Sequence, residues 1–158
     1  MDFFSIHEFD TQDIFPLLKT FLQPLGFKEI EFQQSFNRNL YFFKKGKNIL
    51  KTEFTYFPFE SLEKGKVKKN LVIDSLKDIA VNKVFTIYQK PRMRDFIDLY
   101  FILKKEKWSL QELLKLARIK FDTHIDALQW GSQLLQVEVL KDYPRMLVKT
   151  DFSKVKHF

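Results

Sequence analysis

The stretch Asp74-Ser75-Leu76-Lys77-Asp78-Ile79-Ala80-Val81-Asn82-Lys83-Val84-Phe85-Thr86-Ile87 marks a change in the hydrophobic period of this chain. Upstream, apolar residues alternate or come in short runs, as strands require. From here onward they return every third or fourth residue, as on one face of a helix. Ser75 and Asp78 are spaced as a capping pair for a helix running to about Gln89. The change separates a mixed α/β part, residues 1–73, from a helical part, residues 74–158. The expected fold class is α+β, with a mixed sheet and a C-terminal helical layer that can belong to a single domain.

Lys83 breaks the pattern of its own helix. The apolar stripe runs through Leu76, Ile79, Ala80, Val84 and Ile87, and position 83 falls on it. An unpaired ammonium facing the protein body is costly. Two arrangements relieve the cost: a carboxylate or bound phosphate at the amine, or a stem lying along the core with the amine reaching water. The next helix, about Met93 to Lys104 after the break at Pro91, offers partners. Asp95 and Asp98 share one of its faces with Leu99 and Ile102, and Arg94 can pair with Asp98 along the helix.

Upstream, Asp10 is placed to cap a helix over Thr11–Leu22, which Pro16 should kink or delay and which Pro24 and Gly26 end. Strands are expected at about Phe27–Phe36, Leu40–Lys44 and Ile49–Phe57, the last two joined by the hairpin signal Lys45-Gly46-Lys47-Asn48. Residues 60–70 read as a charged, solvated loop, and Leu71-Val72-Ile73 as a short strand. Glu53 lies within the Ile49–Phe57 strand. It needs a metal ion or a basic partner there if it is covered, and nothing if it faces solvent. Downstream, Ser109-Leu110-Gln111-Glu112 is a capping box opening a helix, Asp122 is placed to cap a further one weakened by Gly131, and the end from Tyr143 reads as irregular or edge-like.

Composition narrows the chemistry. Hydrophobic residues make up 45% of the 158, with 19 Phe among them, so a core forms. The net charge of +7 favours polyanionic partners such as RNA, DNA or nucleotides, and equally describes a Lys-rich surface. With no cysteine, disulfides and thiolate sites are excluded, and His7, His124 and His157 lack metal-ligand spacing. No leader pattern and no apolar run of membrane-spanning length occurs, which points to a soluble, cytoplasmic protein.

The stretch Ser75-Leu76-Lys77-Asp78-Ile79-Ala80, then Lys83, then Arg94-Asp95-Phe96-Ile97-Asp98-Leu99-Tyr100-Phe101 resembles the helix pair of the AbiEii/AbiGii toxin family of nucleotidyltransferases. Met1-Asp2-Phe3-Phe4-Ser5 with Phe9-Asp10 is similar to the segment after that family's first catalytic aspartate. Lys51-Thr52-Glu53-Phe54 is similar to its third acidic strand, and Tyr143-Pro144-Arg145-Met146-Leu147 to its C-terminal segment. The family carries a Gly-Gly-Ser/Thr stretch and an Asp-x-Asp pair. In this register Asp2 is the second aspartate of the pair, and the first, with the Gly-rich stretch, would lie upstream of residue 1.

The resemblance implies a toxin that transfers nucleotides from an NTP to an RNA acceptor, with a tRNA 3′ end as the expected one. It implies Mg²⁺ held by Asp2 and Glu53, and phosphate held by Lys83 with Arg92 and Arg94. Lys83, Asp98 and Asp95 are the candidate catalytic residues, and Asp2, Glu53, Lys83 and Asp98 are expected to share one cleft. Without the upstream motif this chain is expected to bind NTP and Mg²⁺ poorly. The competing reading is a non-catalytic remnant that binds RNA or protein. A cognate antitoxin is the implied partner, and exposed apolar surface near Phe3 and Phe4 implies self-association.

Overall fold

The computed structural model describes residues 1–157. The chain divides into two compact units, Met1–Glu60 and the remainder from Ser61.

The first unit is a four-stranded mixed sheet with one helix. Strands β1 (Asp2–Ser5), β2 (Lys28–Ser35), β3 (Arg38–Lys45) and β4 (Asn48–Tyr56) lie in the order β1-β4-β3-β2. β1 runs parallel to β4, and the other two pairings are antiparallel. Gly46, with φ of +57°, makes the tight β3–β4 turn that Lys45 and Asn48 close. β2 is an exposed edge strand, its pairing interrupted between Glu29 and Glu31. Helix α1 (Thr11–Leu22) is capped by Asp10, whose carboxylate accepts from the Gln12 N–H at 2.8 Å. Pro16 does not delay its start. The helix lies over the β3 face that carries Tyr41: Phe15 stacks on the Tyr41 ring at 5.7 Å, and the Thr11 hydroxyl donates to Asn39 Oδ1 at 3.1 Å. Phe3 stacks on Phe54 at 4.9 Å, while Phe4 stays 58% exposed.

The second unit begins with a two-stranded ribbon, β5 (Lys66–Lys68) and β6 (Leu71–Ile73), which pair only with each other. Part of the expected 60–70 loop is therefore strand, and it belongs to the unit that begins at Ser61. The physical reason is a tether: the backbone N–H groups of Leu62 and Glu63 both donate to the Asp78 carboxylate, which ties this segment to the helices. The helices are α2 (Leu76–Gln89), α3 (Met93–Lys105), α4 (Leu110–Lys120), α5 (Ala127–Leu135), a 3-10 turn (Gln136–Glu138) and α6 (Phe152–Lys156). α2 is the central helix of this unit, packing against α3, α4 and α5. Its buried stripe is Ala80, Val81, Val84 and Ile87, with Leu76 left 38% exposed. Met93, Phe96, Ile97 and Leu99 of α3 and Leu113 and Ala117 of α4 are buried as well. Each fully buried aliphatic of this size contributes about 1.5–3 kcal/mol relative to exposure.

Two local expectations are corrected here. Asp122 caps no helix among the described residues: it stands at a left-handed φ of +43° in the turn after Phe121, whose buried ring stacks on Phe85 at 3.8 Å. Asp126 caps α5 instead, accepting from Gln129 N–H at 2.8 Å. The tail expected to be irregular carries α6, capped by Asp151.

Candidate functional site

The candidate residues fall in two groups, one inside each unit. In the second unit, residues 90–92 turn the chain from α2 into α3, which brings the first two turns of α3 alongside Lys83. The Lys83 Nζ lies 2.9 Å from Asp95 Oδ1 and 2.6 Å from Asp98 Oδ2. Asp95 is shared: its second oxygen accepts from Arg92 Nε at 2.9 Å. The group is graded from dry to wet. The Asp95 side chain is 1% exposed, Lys83 22%, Arg92 41% and Asp98 50%. The lysine on the apolar stripe thus meets two carboxylates, one buried and one open to water. Arg94 is exposed and makes no ion pair among the described residues; Asp98 goes to Lys83 rather than to it.

The N-terminus of α3 is held from a distance. Arg92 supplies no side-chain cap, and the Met93 N–H donates to Asp142 Oδ1 at 3.1 Å. Asp142 therefore orients the helix that carries Asp95 and Asp98, and no local pattern pointed to it.

In the first unit, the parallel register sets Asp2 beside Glu53. Their side chains leave the same face on neighbouring strands, about 4.8 Å apart at the backbone. Alternation along β3 and β4 puts that face opposite the one α1 covers, because Glu53 pairs with Leu40 and not with Tyr41. Glu53 is well covered, with its side chain 13% exposed, and it has basic partners: Arg38 Nη2 at 2.7 Å and Lys51 Nζ at 3.2 Å. Burial alone would push its carboxyl up, but Lys51 and Arg38 together hold it below the usual glutamate range. Asp2, 62% exposed, keeps oxygens available.

The donor chemistry suits Mg²⁺, which takes oxygen ligands. Among the described residues no three His, Asp or Glu side chains form a metal cluster; Asp2 has open oxygens, whereas both Glu53 oxygens are taken by Arg38 and Lys51, which a bound ion would have to displace.

A third group escaped sequence reasoning. Asp78 is wholly buried, and Lys120, its side chain 3% exposed, lies 2.7 Å from Oδ1. The Ser75 hydroxyl donates to Oδ2 at 2.7 Å, and the Leu62 N–H donates to Oδ1 at 2.8 Å. Burial pushes this carboxyl up, but Lys120, the two backbone N–H groups and Ser75 outweigh it and hold it below the ordinary aspartate value. The signal was there in part, since position 78 lies on the side of α2 that buries Val81 and Ala80, but Lys120 is 42 residues away.

A stretch of 69 residues, 44% of the chain, is 38% identical to an uncharacterized protein of Aquifex aeolicus (strain VF5) and spans 33% of that protein's length. No solved structure matches the chain. Residues 51–155, which hold Glu53 and the whole Lys83 group, match the family described as nucleotidyl transferase AbiEii toxin, type IV TA system, and the chain belongs to that family.

Proposed function

We propose that this protein transfers a nucleotide from an NTP to an RNA acceptor, the 3′ end of a tRNA being the acceptor of this reading. The observation that carries it is Lys83: an ammonium on the buried stripe of α2, held by Asp95 and by the half-exposed Asp98. In the proposed reaction the acceptor's 3′-hydroxyl oxygen forms a bond to the α-phosphorus. The bond from that phosphorus to the β-phosphate oxygen breaks, and pyrophosphate leaves. Lys83 turns from Asp98 to the triphosphate, where its charge offsets that of the phosphate oxygens. Asp98 either steers Lys83 toward the phosphate or, once Lys83 has left it, receives the hydroxyl proton. Asp95 stays in place as the anchor, and Arg92 and Arg94 add phosphate contacts. In the first unit, Asp2 and Glu53 are the candidate Mg²⁺ ligands of this reading, and a bound Mg²⁺ would supply stabilisation of phosphate charge. The net charge of +7 supports a polyanionic acceptor.

As a type IV toxin–antitoxin family member, the protein has an antitoxin as its implied partner. Among the described residues no helix is long and apolar enough to cross a membrane. The exposed Phe4 supports self-association, which sedimentation at micromolar concentration reads.

Transfer is tested on protein that carries the family's Gly-Gly-Ser/Thr stretch and first aspartate, which are not among these 158 residues. With labelled NTPs and tRNA, Lys83→Ala and Asp98→Ala should each abolish label transfer while thermal unfolding stays cooperative. Wild-type rates in both variants would overturn the reading. RNA binding with no transfer from any NTP would leave the non-catalytic binding module.

A further inference from the structure

Between residues 64 and 73 the chain carries four lysines, Lys64, Lys66, Lys68 and Lys69, and no acidic residue. All four are exposed, and among the described residues none has a carboxylate within salt-bridge distance. Of the acids nearest in sequence, Glu63 pairs with Lys77, while Asp74, next to Ile73, is exposed and makes no ion pair with these four lysines among the described residues. The concentration of charge is therefore left uncompensated, which is a cost to folding that needs a reason.

The four lysines sit on a formed element. Lys66 and Lys68 are two residues apart on β5, so they share one face of the ribbon at a spacing of about 6.6 Å. Their cross-strand partners Ile73 and Leu71 stand on that face with them. Val67 and Val72 occupy the other face, and each is 65% exposed. Neither face is covered. A lone two-stranded ribbon is marginal in water, but this one is fixed at its base. A Cβ on Gly65 would lie 2.3 Å from the Ile73 carbonyl oxygen, so only glycine lets the two arms close there. Just before it, Leu62 and Glu63 are tethered to Asp78. The tip, Lys69 at φ of +57° and Asn70, is polar.

We infer that the β5–β6 ribbon is the contact for the sugar–phosphate backbone of the RNA acceptor, with Lys66 and Lys68 on neighbouring phosphates and Lys64 and Lys69 at either end. This rests on the nucleotide-transfer reading and states how its acceptor is held. Lysines set along one strand supply phosphate contacts and affinity without sequence choice, and duplex RNA is held largely through its shape and backbone. A membrane surface is the weaker match. A hairpin that enters lipid presents apolar or aromatic residues at its tip, whereas this tip is Lys69-Asn70, and the apolar residues of the ribbon lie behind it.

The test is fluorescence anisotropy of labelled tRNA with the 158-residue chain across a salt series. Lys66→Glu/Lys68→Glu is compared with Lys44→Glu/Lys47→Glu, which changes net charge equally on the exposed β3–β4 hairpin. The ribbon variant should lose about tenfold or more in affinity at 0.1 M salt. The slope of log affinity against log salt should fall by about 1.4–1.8, as for two lost phosphate contacts. The hairpin variant should lose far less. Gly65→Ala, which disturbs the ribbon without altering charge, should weaken binding too. Equal losses in the two charge variants would show that net charge alone acts, and overturn the proposal. Loss of binding to phosphatidylserine vesicles with tRNA binding intact would overturn it in favour of a membrane. No tRNA binding by the unaltered chain would overturn the acceptor reading itself, whereas binding that ignores the ribbon variants would overturn only this inference.

Discussion

Helix α2 carries two charge groups, centred on Asp78 and on Lys83, and they are built on opposite terms. Around Asp78 everything is closed. The carboxylate is wholly buried, Lys120 is nearly so, and both oxygens are filled by lysine, hydroxyl and backbone donors. Around Lys83 the inner half is closed and the outer half is open. Asp95 is buried and shared with Arg92, while Asp98 is half in water. A closed group gains nothing from a ligand, because its partners would have to be broken first. An open one can exchange Asp98 for a phosphate at small cost. The same lysine–aspartate chemistry thus serves the fold in one case and, under the proposed mechanism, meets a substrate in the other.

The largest effect should come from removing Lys120. Lys120→Met leaves Asp78 buried with no countercharge, and breaking a buried pair in this way costs about 3–5 kcal/mol. Lys83→Met should cost only about 1–2 kcal/mol, since Asp95 keeps Arg92 and Asp98 is already hydrated. Urea unfolding of the two variants measures the gap. Equal losses would mean that the groups do not differ in kind.

Acid should act on the closed group next. Asp78 titrates below its ordinary value in the folded protein. Its stabilising contribution is therefore full above the unfolded value of about 3.9 and is lost as pH falls through the depressed folded value. Glu53, also held low, adds a loss of the same sign. Urea midpoints followed from pH 6 to pH 2 should fall in the acid limb, and Asp78→Asn should flatten that limb. An unchanged limb in the variant would assign acid unfolding to other carboxylates.

Much of this was legible where the deciding interaction is local. The Asp10, Ser75 and Ser109 caps lie within three residues of the groups they satisfy, and all three form. The Gly46 turn is equally local. Lys83 could be singled out because a charge on an apolar stripe requires a partner, and the helix after it offered two. What stayed hidden needs contacts across the fold. Lys120 reaches Asp78 over 42 residues, and Asp142 reaches Met93 over 49. β5 is too short and too charged to show a strand period, and it forms because β6 supplies its bonds. The choice between Asp122 and Asp126 as a cap was made by Phe121 packing on Phe85, which ends α4 and turns the chain. Asp2 and Glu53 share one sheet face through a parallel pairing that links distant segments, although the family resemblance had named both.

Ser75→Ala separates charge from dipole in the closed group. The hydroxyl caps α2, accepting from the Asp78 N–H at 3.0 Å, and it donates to the Asp78 carboxylate. Loss of both roles should cost about 1–2 kcal/mol. Thermal or urea unfolding reads it. A cost near that of Lys120→Met would show that the hydroxyl and backbone donors, rather than the ammonium, hold Asp78 in place.

The smallest effect on stability should belong to Asp98→Ala, and there the two groups part most clearly. Asp98 is half exposed, and its bond to Lys83 is one a solvated ion pair can lose for about 1 kcal/mol or less. Lys83 still has Asp95 at 2.9 Å, so its amine stays near its present place. The fold should therefore unfold at almost the wild-type urea concentration. Nucleotide transfer by protein carrying the upstream family motif should nevertheless fall by orders of magnitude under the proposed mechanism, because the carboxylate that steers Lys83 or accepts the hydroxyl proton is gone. Asp98→Asn tells these two roles apart. An amide still bonds to the lysine but is a far poorer base, so recovery of activity assigns steering and its absence assigns proton transfer. An Asp98→Ala protein that is strongly destabilised would instead place Asp98 in the class of Asp78, and the contrast between the two ends of α2 would fail.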